Sequence, residues 1–282
     1  MTSWQRFLHS RHAVWLTHGS LLALSALYVW ILLVLPFWLA LLPGVFVGHR
    51  IGILLHEYLH GIPFRRYRHN LQVFTLWDGA LLLFGGFEIF RASHLAHHRH
   101  LNTPEEELIP RNAPGASVGG FWRELEVVKH FVYLADALRG RLAFVRPRRM
   151  LAGFAISVGC IALWCALGRA DVVGKMLAVN LVTLLVPVSL RAAVEHHSDP
   201  DDPASTNEYR VTLPLFNLNR HVHHHEAPRC PWYRLQWRTA RPLPASSYVT
   251  HWWRLRVRRE LVRMAAPEAG GKRRVESGEV VQ

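Results

Sequence analysis

Residues 13–35 form an apolar stretch in which His18 is the only side chain that titrates near neutral pH. At about 1.5 Å of rise per residue, that stretch makes a helix about 35 Å long, enough to cross the hydrocarbon core of a bilayer. An ordinary water-soluble globule has no place for it. It is too long for the core of a signal peptide, and no small-residue cleavage site follows it, so it reads as a retained span. Pro36 interrupts the pattern, and residues 37–60 continue it until Gly61 and Pro63 stop the helix. The two stretches predict a membrane hairpin.

Residues 71–90 are apolar as well, but Asp78, Gly79, Gly85, Gly86 and Glu88 fall among them. This block reads as interfacial or re-entrant, not spanning. From Arg91 to Arg149 the chain is polar. Spans at about 151–168 and 172–190 then form a second hairpin around Arg169 and Asp171, with Lys175 close enough to an end to snorkel. The expected fold class is all-α: a polytopic membrane protein with four transmembrane helices in two hairpins and a cytoplasmic helical cap. Residues 1–264 form one membrane domain on this reading, and residues 265–282 a disordered basic and polar tail. Arginines flank the spans at Arg6 and Arg11, Arg65, Arg66 and Arg68, Arg146, Arg148 and Arg149, and Arg254, Arg256, Arg258 and Arg259. Their positions put all of these segments on the cytoplasmic side.

The formal charge of +13 does not imply a nucleic-acid partner. Such binding needs basic residues on a folded polar surface, whereas many of these arginines border apolar stretches, where anionic lipid headgroups are the natural partner. Cys160, Cys165 and Cys230 form no CxxC pair, and neither a disulfide framework nor a thiolate metal site is expected.

The 19 histidines carry the chemical signal. His56-Glu-Tyr-Leu-His60 places two imidazoles on one helical face, where they can share a metal. His94-Leu-Ala-His97-His98 and His221-Val-His-His224-His225 repeat that logic at i, i+3 and i+4. Histidine is a mediocre helix former and expensive to bury unpaired, so three like-spaced clusters have no packing rationale. Eight imidazoles are twice what one tetrahedral zinc needs and suit two metals with open positions. Glu195-His196-His197 lies at the end of the fourth span, at a membrane boundary where such groups are functional by default. His196 is the ninth candidate ligand, with His197 as its alternative. His223 and His100 point away from their boxes in a helical register and are expected to make outer contacts or meet solvent. His9, His12, His18, His69, His130 and His251 read as ordinary polar side chains. For all boxes to share one site, residues 71–90 must not cross the bilayer.

With these residues in view, the chain resembles the integral-membrane fatty acid desaturase and hydroxylase superfamily, which is defined by three histidine boxes. The resemblance covers about His56 to Leu235. It includes His98-Arg-His-Leu-Asn-Thr-Pro-Glu105 after the second box and Asn219-Arg-His-Val-His-His224-His225-Glu-Ala-Pro228-Arg-Cys-Pro231-Trp-Tyr-Arg-Leu235 around the third. It implies two iron ions held by histidines on the cytoplasmic face of a four-helix membrane unit, with O2 as co-substrate. By position, His56, His60, His94, His97, His98, His221, His224 and His225 match the box ligands, and His196 the extra histidine after the last span. Glu57, Glu195 and Asn219 are then candidates for contacts behind the ligands. The chain is short for an acyl desaturase and carries no recognisable fused haem domain, so a separate electron donor of ferredoxin, rubredoxin or cytochrome type is expected.

The chemistry agrees. An unactivated methylene offers no acid or leaving group to side-chain catalysis, and a redox metal must supply the oxidant where zinc and magnesium cannot. The apolar substrate arrives from the bilayer, with Phe84, Phe87 and Phe90 able to shape its entry. Desaturation of a lipid or fatty acyl chain is the expected reaction, and hydroxylation or ketolation of an alkane, acyl chain or carotenoid its alternative. HEYLH also satisfies the HExxH zinc-protease motif, with Glu57 as general base, but that reading leaves the other two boxes idle. A non-enzymatic membrane haem or metal carrier is the remaining alternative. A bacterial inner membrane, with the site facing the cytoplasm, is the expected location.

Overall fold

The computed structural model describes residues 11–99, 145–195 and 218–235, together with positions 6, 7, 135, 139 and 216. Among these residues every regular element is a helix. The helices are α1 (Val14–Val34), α2 (Phe37–Leu59), α3 (Tyr67–Ala80), α4 (Gly86–Arg99), α5 (Pro147–Ala166), α6 (Ala170–Thr183), α7 (Ser189–Glu195), α8 (His221–Glu226) and α9 (Trp232–Leu235). A π turn over Leu184–Val188 joins α6 to α7. Pro187 lies inside it; proline has no N–H to donate to the preceding turn, and widening the helix locally lets the chain run on.

Among the described residues, four helices are long and apolar enough to cross a membrane: Val14–Val34, Phe37–Leu59, Pro147–Ala166 and Ala170–Arg191. Their outer faces carry large apolar side chains, with Trp38 80% and Leu42 79% exposed. Hydrocarbon tolerates such a surface and water does not. Pro147 opens α5 at the first helical position, so Arg148 and Arg149 belong to that helix's first turn and do not precede the span.

Helix α2 is the centre of the packing, with Ile51, Leu54, Leu55, Tyr58 and Leu59 buried against α1, α3 and α6. At the end of α2 remote from its histidines, Lys175 Nζ donates to the carbonyls of Leu32 (2.8 Å) and Leu35 (2.9 Å) and pairs with Asp171 at 3.0 Å. Arg169 adds a bond to the Leu33 carbonyl at 3.0 Å. These contacts satisfy carbonyls at the end of α1 and tie the two hairpins together.

Residues 71–90 are not one segment but two helices and a reversal. Leu82 (φ 56°), Phe84 (φ 53°) and Gly85 (φ 86°) take left-handed backbone between α3 and α4, which costs a non-glycine residue roughly 1–2 kcal/mol. The Asp78 carboxylate offsets it by accepting the Gly85 N–H at 2.7 Å and the Phe87 N–H at 2.9 Å. Ser157 Oγ of α5 accepts the Phe84 N–H at 3.2 Å. Each helix has 14 residues, about 21 Å, and falls short of a bilayer crossing. The pair forms a helical hairpin that returns the chain to the end from which it left, as a shared histidine site requires.

Candidate metal centre

Box one occupies the last turns of α2, box two the last turns of α4, and box three forms α8, a helix of six residues. The α3–α4 hairpin brings α4 back against the end of α2, and α8 closes over both. His56, His60, His94, His98 and His224 then offer ring nitrogens that all lie within 4.8 Å of one another. His56, His60 and His224 are buried in the usual sense, at 6%, 7% and 2% exposure.

The separations are informative. Nε2 of His56 is 2.7 Å from that of His94, His60 is 3.2 Å from His56, and His60 is 3.1 Å from His94. A neutral imidazole nitrogen is either a donor or an acceptor. In a closed triangle of three, at least two must play the same role, so hydrogen bonds cannot account for it. Lone pairs converging on a cation can: two ring nitrogens about 2.1 Å from one ion and at right angles to each other lie about 3.0 Å apart. His98 to His94 and His224 to His98, both 3.0 Å, extend the same geometry.

A second group adjoins the first. His221 and His225 hold Nε2 atoms 3.1 Å apart. The His225 ring stacks on His98 with centroids 4.2 Å apart, and the His97 ring lies 5.1 Å from His225. Glu195 is bound to Arg191 by two hydrogen bonds of 2.7 and 3.0 Å and places Oε2 3.8 Å from His221 Nδ1. A carboxylate behind a ligating imidazole fixes which nitrogen faces the metal. Eight of the nine predicted ligands therefore meet in one region. His196, the ninth, lies outside the described residues, as do His197 and His100.

Burial, before the neighbouring rings, lowers the pKa of His94, His221 and His224 well below the ordinary histidine value; for His60 the second cause is His98, followed by Arg229. His98 is pushed down to about 3, first by burial and then by His97. These rings are neutral at physiological pH, the form that donates to a metal.

Glu57 takes no part in the cluster. Its Oε1 accepts the Trp232 N–H at 2.8 Å, and its Oε2 accepts the Thr17 hydroxyl at 3.2 Å. A protease base would face a metal-bound water; this carboxylate turns about 100° around the helix from His56 and ties α9 to α1. Asn219 is fully buried beside box three. His223 is buried, with Nδ1 3.0 Å from Glu226 Oε2, and does not meet solvent.

A cavity of about 230 Å³ opens on His56, His94 and His221. Its walls include Ile53, Leu81, Leu83, Phe87, Ile89 and Phe90, and it reaches Tyr28 and His49. Sequence reasoning missed His49 as part of this wall, although it lies seven residues before His56, two turns away on the same face.

No curated protein and no solved structure matches the chain. The fatty acid desaturase family does, over residues 32–255. That stretch contains α2, the second hairpin and all three histidine boxes, and the chain belongs to the fatty acid desaturase family.

Proposed function

We propose that this protein is a membrane oxidoreductase that binds two iron ions and desaturates the acyl chain of a lipid or fatty acid with O2. The observation that carries the reading is the neutral five-imidazole cluster, with a second histidine group beside it, at the end of a largely apolar cavity. Iron supplies the redox chemistry that an unactivated C–H bond demands. The protein's own residues do the rest. His56, His60, His94, His98 and His224 hold one ion; His97, His221 and His225, with His196, hold the other. The Arg191–Glu195 pair orients His221, and the apolar walls bind the hydrocarbon and exclude water. Electrons come from a separate small redox protein on the cytoplasmic side, a reading that the arginine-rich flanks support.

Expression in a bacterial host followed by mass spectrometry of its lipids tests the proposal. The expected result is a new acyl species lacking two hydrogens. A species gaining one oxygen assigns the hydroxylase branch of the family, and an unchanged lipid and carotenoid profile with iron and reductant present overturns the proposal.

A further inference from the structure

Gly44, Gly48 and Gly52 recur every four residues along one side of α2. The first two are packing positions. A Cβ at Gly44 would lie 2.8 Å from Val179 Cγ2, and one at Gly48 would lie 3.4 Å from Tyr28 Cε2 and 3.7 Å from Val179 Cγ1. Gly52 differs, because a Cβ there would meet nothing within 4 Å. Apart from proline, glycine is the least favoured residue in a helix interior, and neither a close helix crossing nor a left-handed backbone calls for it here. What lies beside it is the cavity, which it lines one turn from His56.

We propose that Gly52 sets the bore of the substrate channel. The apolar tail of the substrate lies along the bare α2 backbone at Gly52, between Ile53, Leu83 and Phe87, and ends against Tyr28, whose ring closes over Gly48. From His56 to Gly48 is eight residues, about 12 Å. At about 1.2 Å per bond in an extended chain, an unbranched tail reaches about ten bonds beyond the carbon held at the histidines. The inference rests on the oxidase reading for what happens at the metal end, but the tail site itself is testable without turnover.

The probe is stearic acid carrying a photoreactive diazirine at its methyl end, irradiated with the full chain in lipid nanodiscs, with cross-linked peptides mapped by mass spectrometry. The expected result is labelling of Tyr28 and of the α2 segment around Gly48, reduced about tenfold in Gly52→Leu, as a steric clash of this size implies. Gly159→Leu is the control. Gly159 is exposed on α5 and also has no neighbour within 4 Å of a Cβ, and replacing it leaves the labelling unchanged. Should Gly52→Leu fail to fold, Gly52→Ala carries the test, since alanine favours the helix: a smaller loss in the same direction supports the proposal, and no loss overturns it. Labelling of the parent confined to lipid-facing side chains such as Trp38, or equal labelling of parent and Gly52→Leu, also overturns it. If the parent is labelled as expected yet the iron-loaded protein oxidises no lipid, the function reading fails and the tail site stands.

Discussion

His56, His60 and His94 hold their Nε2 atoms 2.7–3.2 Å apart in a triangle that no placement of protons satisfies. A cation is the natural resolution, and it sets the expectation for mutants. His98→Ala and His224→Ala each remove a ring from the cluster; bound iron measured by elemental analysis should fall and turnover disappear. His69→Ala, whose ring meets the exposed Arg68 side chain at 3.3 Å, should change neither. Equal iron loss in all three would place the metal elsewhere. Glu57 makes a different prediction, because its carboxylate spans α1 and α9 and does not face the metal side of α2. Glu57→Ala removes the carboxylate that accepts both the half-buried Trp232 N–H and the Thr17 hydroxyl and should cost about 1–3 kcal/mol in unfolding experiments, while Glu57→Gln keeps one acceptor and loses less. Neither variant is expected to alter any peptide-cleaving activity, since a peptidase role is not assigned to this glutamate.

The helices show which parts of the design were readable in the letters. Box spacing was, because i, i+3 and i+4 fix a face once a helix exists, and so were the spans, because twenty apolar residues have few other uses. The reversal inside residues 71–90 was only half legible. Gly85 and Gly86 marked a break, yet the left-handed turn also runs through Leu82 and Phe84, which give no local signal and depend on Asp78 and Ser157 to hold them. Glu57 and His49 were hidden for a related reason: their roles come from α9 and from the cavity, which are remote in sequence. The packing of α3 on α5 supplies a test at this scale. A Cβ at Gly153 would overlap the Asp78 carboxylate and approach Gly85 Cα at 3.1 Å. Gly153→Ala should therefore destabilise the protein by about 1–3 kcal/mol, seen as a lower midpoint of thermal unfolding, whereas Gly159→Ala, with open space around it, should raise it slightly. An unchanged midpoint for Gly153→Ala would contradict this packing.

For the molecule as a whole, neutral buried imidazoles imply a particular response to acid. His98 titrates at about 3 when folded against an ordinary 6.5, so the unfolded chain binds more protons between those values. Its contribution is complete above about pH 6.5 and is lost as pH falls toward 3, and His94, His221 and His224 are shifted in the same direction. Asp78, raised to about 6 by burial, acts oppositely: the folded chain binds the extra proton between about pH 4 and 6, so its contribution declines as pH rises through that window. With five histidines, His60 included, against one aspartate, the metal-free protein should lose thermal stability on acidification below about pH 6.5, followed by tryptophan fluorescence. A midpoint that stays level down to pH 4 would show that the rings are hydrated. The order in which the rings are made has its own consequence. No helix supplies more than two of the five, and His224 follows His98 by 126 positions. A nascent chain that has reached the end of α4 lacks the last donor until the second hairpin has been threaded into the bilayer. Completion of translation thereby becomes a checkpoint on when the five-ring cluster can close, and fragments released early are left without the finished pocket.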